Sequence, residues 1–101
     1  VKYRKKPIVI EAFQMTPARR WDNSEWPDWL NRAWNGDGSS GTLTIKASKG
    51  NEDGARLVIL TIEGAMDVEW YDWIIQGIKG ELYPCKPDIF DATYEVVEQT
   101  K

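Results

Sequence analysis

Asp72-Trp-Ile-Ile-Gln-Gly-Ile-Lys-Gly-Glu-Leu-Tyr-Pro-Cys85 is the stretch that decides the fold. It reads as a β-hairpin. An apolar arm runs from Asp72 to Gln76, glycine supplies the backbone freedom for a turn at Gly77 to Gly80, and Glu81 to Cys85 returns. A proline-started helix follows at once, Lys86-Pro-Asp-Ile-Phe-Asp-Ala-Thr-Tyr-Glu95. Ile89, Phe90, Thr93, Tyr94 and Val97 are spaced to pack one face of it, although Tyr94-Glu-Val-Val97 also reads as a final strand. An isolated hairpin is marginal in water, so other segments must cover its apolar side.

Working outward, Arg56-Leu-Val-Ile-Leu-Thr-Ile62 is apolar on both faces and predicts the most buried strand. Glu63-Gly64 breaks it, and Met66 to Trp70 reads as a short strand. Thr42-Leu-Thr-Ile-Lys-Ala-Ser48 alternates strictly, as a half-exposed strand does. Pro7-Ile-Val-Ile-Glu-Ala-Phe-Gln14 is β-rich, with proline at its start. Its apolar residues fall on both faces, which predicts a strand inside the sheet or under a helix, with Glu11 among apolar neighbours and either paired to Arg or Lys or raised in pKa.

Thr16-Pro17 is a helix-start signal, and a short turn is expected over Ala18 to Trp21. Trp26, Trp29, Leu30, Ala33 and Trp34 then stand at i, i+3, i+4, i+7 and i+8. That spacing predicts one helical stripe on a helix capped at Asn23 or Ser24, with Pro27 in its first turn. The resulting expectation is a single α+β domain over residues 1–101. A mainly antiparallel sheet of roughly four to six strands carries a Trp-rich helix on one face, with a short C-terminal helix. Six Trp in 101 residues let a small core bury a large area.

Composition narrows the chemistry. Residues 1–20 hold Lys2, Arg4, Lys5, Lys6, Arg19 and Arg20 against Glu11, a balance of +5, while the remainder carries 7 basic and 15 acidic side chains, a balance of −8. The total of −3 argues against a general nucleic-acid binder, which needs a concentrated basic field. His is absent, which removes the commonest general base and the Ser-His and Cys-His pairs. With one Cys there is no zinc or haem ligand set, no phosphate-binding glycine signature occurs, and no cofactor or metal is expected. No apolar run reaches the roughly 20 residues that span a bilayer, and no signal peptide is visible. A lone Cys85 fits a reducing cytoplasm.

Three site readings follow. Lys5, Lys6, Arg19 and Arg20 beside Trp21 would suit a nucleotide or a single strand of nucleic acid, because indole faces stack on bases next to cations. The exposed part of the Trp set, Trp21, Trp26 and Trp29, would anchor a protein contact. Carboxylates at turns and strand ends, Glu63, Asp67, Asp72 and Glu81, together with Glu11 within its strand, would support acid–base or hard-metal chemistry only where they converge. Cys85 reads either as a small buried hydrophobe or as a thiol activated by Lys86.

Two blocks carry a resemblance. Tyr3-Arg-Lys-Lys-Pro-Ile-Val-Ile-Glu-Ala-Phe-Gln14 opens the chain, and Thr61-Ile-Glu-Gly64 with Asp72 to Glu95 closes it. They resemble a family of small phage and prophage proteins, and Arg19-Arg-Trp-Asp-Asn-Ser-Glu-Trp-Pro-Asp-Trp-Leu30 looks like some of its members. The resemblance implies a phage-encoded protein working in the host bacterial cytoplasm. It brings no reaction and no catalytic residues. The leading expectation is therefore a non-enzymatic accessory protein that binds a host or phage protein. A dimer stays open if the aromatic stripe is only partly covered. The alternatives are the nucleic-acid binder and an enzyme using Glu11, Glu63 or Asp72. The family places Gly immediately before the Asp-Trp pair, where this chain has Tyr71. If that position needs a positive φ, Tyr71 is strained.

Overall fold

The structure is a computed structural model describing residues 1–4, 6–38, 40–45 and 57–97. It is an α+β arrangement of two three-stranded antiparallel sheets and three α-helices. In chain order these are β1 (Glu11–Gln14), α1 (Pro17–Trp21), a 3₁₀ turn (Asn23–Glu25), α2 (Asp28–Trp34), β2 (Thr42–Ile45), β3 (Leu57–Thr61), β4 (Gly64–Val68), β5 (Trp73–Gln76), β6 (Leu82–Cys85) and α3 (Pro87–Thr93).

The first sheet has the order β1-β5-β6. Its hairpin closes as the sequence requires. Gly80 N–H donates to Gly77 O at 3.0 Å, Gly77 N–H donates to Glu81 O at 2.8 Å, and Gly80 has φ +82°. This is a three-residue loop whose last residue is left-handed, a conformation that glycine adopts without steric cost. Ile74 and Ile75 point to opposite faces of β5, and both are fully buried. Ile74 joins Met15, Trp26, Trp29, Leu30, Leu43, Leu57, Ile59, Val68 and Leu82 in the main core. The opposite face carries α3, because Trp73 stacks on Phe90 at 4.1 Å and 7° between ring planes. Phe90 in turn meets Tyr94 at 5.0 Å.

The second sheet has the order β2-β3-β4. β3 is central, and Leu57, Val58 and Ile59 are all buried, as its two apolar faces predict. Leu43, Ile59 and Met66 lie across the three strands in register, and Leu57 lies opposite Val68. Sheet, helix α2 and hairpin thus share one core.

Three expectations are corrected. First, β1 is an edge strand of only four residues, not an interior one. Ile8 and Val9 are exposed before it begins, and Glu11 is exposed rather than enclosed. Second, the Trp stripe does not lie on one helix. Trp26 is extended (φ −66°, ψ 132°) between the 3₁₀ turn and α2. Proline disfavours helical backbone in the residue before it, so Pro27 divides the segment there and becomes the N-cap of α2. Third, α3 ends at Thr93 with Tyr94 as its C-cap, and Tyr94 to Val97 pairs with no strand among the described residues. The short helix after Thr16-Pro17 does form. Thr16 Oγ1 accepts from Arg19 N–H at 3.2 Å, and Pro17 starts the first turn. Ala47, Lys46 and Ser48, read as part of a strand, lie outside the described residues.

Tyr71 has φ +71°, and among the described residues it is the one non-glycine with a positive φ. It is the third residue of a turn that Asp72 N–H closes onto Glu69 O at 3.1 Å. That position favours glycine in turns with positive φ. The turn is held regardless, because Tyr71 N–H donates to Met15 O at 2.7 Å and Gln14 Nε2 donates to Tyr71 O at 3.0 Å. Those are main-chain groups that glycine retains. A left-handed side-chain-bearing residue costs about 1–2 kcal/mol, and glycine returns about 0.5–1 kcal/mol of that as unfolded-state entropy. Tyr71→Gly is therefore expected to stabilise the protein by about 0.5–1 kcal/mol in urea denaturation. A loss of stability would show that the Tyr71 ring contributes more than its backbone costs.

Candidate functional site

Of the basic and aromatic residues proposed from sequence, Arg19 meets Trp26 and Arg20 meets Trp21, while Lys6 lines a groove with other residues. Trp26 and Trp29 are only 5% and 8% exposed, so neither offers a contact surface. Trp26 Nε1 donates to Arg19 O at 2.7 Å, and its ring meets Trp34 edge-on at 6.2 Å and 81°. Arg19 is engaged three ways: Nη1 donates to Gln14 O at 2.9 Å, the guanidinium lies 4.8 Å from the Phe13 ring centre, and Nε stands 3.7 Å from Glu25 Oε2. Arg20 lies between two indoles, 5.1 Å from Trp21 and 4.9 Å from Trp34. Trp21 is 66% exposed, so it alone of the named Trp residues reaches solvent broadly. Lys6 is exposed but lies on a different surface, with the hairpin turn. Lys5 lies outside the described residues.

The carboxylates do not converge. Glu11, Glu63, Asp67 and Glu81 are exposed, and each belongs to a different strand, turn or loop. Among the described residues no group of three or more His, Cys, Asp or Glu side chains is placed to hold a metal. Asp72 is buried, and its role is structural. Its Oδ2 accepts from Glu69 N–H at 3.0 Å and faces Lys86 Nζ at 3.4 Å. Its main-chain oxygen accepts from Met15 N–H at 2.9 Å. This one residue fastens the turn before β5 to β1 and to the start of α3.

Cys85 departs from the activated reading. Burial pushes its thiol up, and the negative charges of Asp72 and Asp88 push it the same way. Lys86, the expected activator, faces Asp72. Thiolate is the reactive form. Cys85 in the folded protein is therefore expected to react with a disulfide reagent at pH 8 several-fold more slowly than in the denatured chain. Equal rates would show that the native surroundings leave the thiol unprotected.

One concavity is a groove of about 450 Å³. Three segments distant in sequence build it: residues 6–10 ahead of β1, the hairpin turn from Gly77 to Glu81, and the chain leaving α3 from Thr93 to Val97. Tyr83 and Tyr94 line it and hydrogen-bond to each other. Partial burial chiefly, then that bond, pushes the Tyr83 hydroxyl up to about 12. The flanks are apolar and open, with Val9 74%, Ile78 68% and Val97 61% exposed. Lys6, Glu81 and Glu95 supply the charge along its length. A second recess of about 230 Å³ is lined by Trp29, Arg32, Thr42, Gln76 and Leu82 among others. Next to it, Trp29 Nε1 is buried without an acceptor among the described residues.

Comparison with known proteins adds no further guide. No family model, curated protein or solved structure matches the chain.

The groove was not among the sequence-derived sites, although one signal for it exists. Ile78 is a large apolar residue at the tip of a turn, where polar residues are usual. Val96 and Val97 follow α3 and are exposed, joining no strand among the described residues. Among the described residues no helix is long and apolar enough to cross a membrane.

Proposed function

We propose that the chain is a phage-encoded accessory protein that works inside the bacterial cell as a non-enzymatic binding module, with the groove as its contact surface for another protein. The supporting observation is the open apolar lining around Val9, Ile78 and Val97. Clustered exposed apolar side chains rimmed by charge are the usual composition of a protein contact. The phage origin rests on the opening and closing sequence blocks. The dispersed carboxylates lend the enzyme reading no support.

The test is affinity capture from a bacterial host lysate, with wild-type protein beside a Val9→Glu/Ile78→Glu variant. Both substituted positions are exposed, so the variant should fold. The wild type is expected to retain a partner that the variant releases. Retention of the same protein by both would remove the groove from the binding reaction.

A second reading has one observation in its favour: Trp21 is open to solvent with Arg20 against its ring. A single strand stacking there would bind with steep salt dependence, and Trp21→Ala would abolish it. The stacked guanidinium covers ring surface that a base would need, which weighs against this reading.

A further inference from the structure

We propose that the recess between α2, the start of β2 and the hairpin binds a small anion, whose carboxylate or phosphate group is held by the Trp29 indole N–H and the Arg32 guanidinium. The recess shares no lining residue with the groove, so this site does not depend on the protein-binding reading.

Trp29 supplies the reason to expect a ligand. Its side chain lines the recess and is 8% exposed, and its Nε1 is buried with no acceptor among the described residues. Trp26, the neighbouring buried indole, has its acceptor in Arg19 O. Leaving a buried donor unpaired costs about 1–3 kcal/mol, and such groups are few in folded proteins. An indole N–H only donates, so its missing partner is a group with a lone pair.

The charge of that partner follows from the other lining residues. Arg32 lies three residues after Trp29 in α2 and lines the same recess. It is exposed and forms no ion pair among the described residues. None of the described lining residues is acidic, in a chain with 16 Asp and Glu. The lining side chains thus carry one positive charge and no negative one. A guanidinium presents paired N–H groups whose spacing matches the oxygens of a carboxylate or a phosphate. Gln76, opposite Leu82 in the hairpin register, adds an amide.

The apolar part of the lining sets the rest of the ligand. Ala33, Leu82 and the Trp29 ring suit a short carbon chain. The recess is smaller than the roughly 300–1,000 Å³ of sites for drug-sized ligands, so the anion has only a few carbons.

Indole N–H signals in a proton–nitrogen correlation spectrum of the full chain test the proposal. Sequential assignment of the wild type identifies Trp29 without a substitution at this buried position. Sodium butyrate and sodium phosphate are titrated separately, with sodium chloride at equal ionic strength as the control. The Trp29 signal is expected to move downfield and saturate at millimolar concentration with at least one of the two, and to stay in place with chloride. Saturation by butyrate alone assigns an organic carboxylate, and saturation by phosphate alone assigns a phosphate group. Arg32→Gln should weaken the saturating anion by about tenfold or more, the loss of one charge-assisted contact. Arg32 is exposed, so this variant should fold. A Trp29 signal that ignores both anions makes a bound water the acceptor and overturns the proposal. A drift without saturation, or a titration that Arg32→Gln leaves as in the wild type, overturns it as well.

Discussion

Trp26→Ala is expected to lower the unfolding free energy by about 3–5 kcal/mol, the range for truncating a buried large aromatic. Trp26 is buried among Trp29, Leu30 and the residues of both sheets. Its indole N–H satisfies Arg19 O, and its ring packs against Trp34. Truncation would therefore open a cavity and orphan a carbonyl at the end of α1. Trp26→Phe should cost about 1–2 kcal/mol, since it keeps most of the volume and loses the hydrogen bond. Trp21→Ala is the contrast, expected within about 0.5 kcal/mol because the side chain is mostly in solvent. Far-ultraviolet circular dichroism in a urea series is the right measurement, because it does not depend on the indole being removed. A larger loss for Trp21→Ala than for Trp26→Ala would contradict the packing described above.

The second large effect is expected at Asp72. Replacing it with Ala removes the acceptor of Glu69 N–H and the partner of Lys86 together. Leaving a partly buried donor without an acceptor costs about 1–3 kcal/mol. Lys86 is half-exposed, at 53%, so its ammonium returns to water and the ion pair adds little. Asp72→Ala is thus expected to cost about 2–3 kcal/mol, and Lys86→Ala less, about 1–2 kcal/mol, because the buried Asp72 carboxylate then keeps the Glu69 N–H but loses its counter-charge. Equal losses in urea denaturation would mean that the ion pair, not the turn hydrogen bond, carries the contribution.

These two residues show how far the sequence could be read. The hairpin was legible because its signals are local: alternation on the arms and glycine where the turn needs a left-handed residue. The burial of β3 was legible for the same reason, an apolar run bounded by breaks. The condition for strain at Tyr71, a positive φ, was raised by a resemblance in which Gly stands at that place, and φ is +71°. The Trp stripe was misread because a helical period persists across a break when both pieces pack on one core. Pro27 carried the contrary signal through its effect on Trp26. The N-terminal strand was misread because Ile8-Val9-Ile10 has the composition of an interior strand, while strand order in the sheet is set by distant partners. Local pattern held one signal for the groove, apolar Ile78 at the tip of a turn, and no more, since its three segments are far apart in the chain and meet only after the hairpin closes and α3 docks.

The column of rings that docks α3 has a practical consequence. Trp73 lies face to face with Phe90, Phe90 meets Tyr94 at a tilt of 31°, and Tyr94 bonds to Tyr83 in the groove lining. The chromophores therefore form an unbroken file from the first strand of the hairpin to the open cleft. Any occupant that turns the outermost phenol alters the asymmetry felt by the indole behind it. Near-ultraviolet circular dichroism should thus serve as an unlabelled gauge of occupancy, with Tyr94→Ala as the variant in which the gauge goes blind.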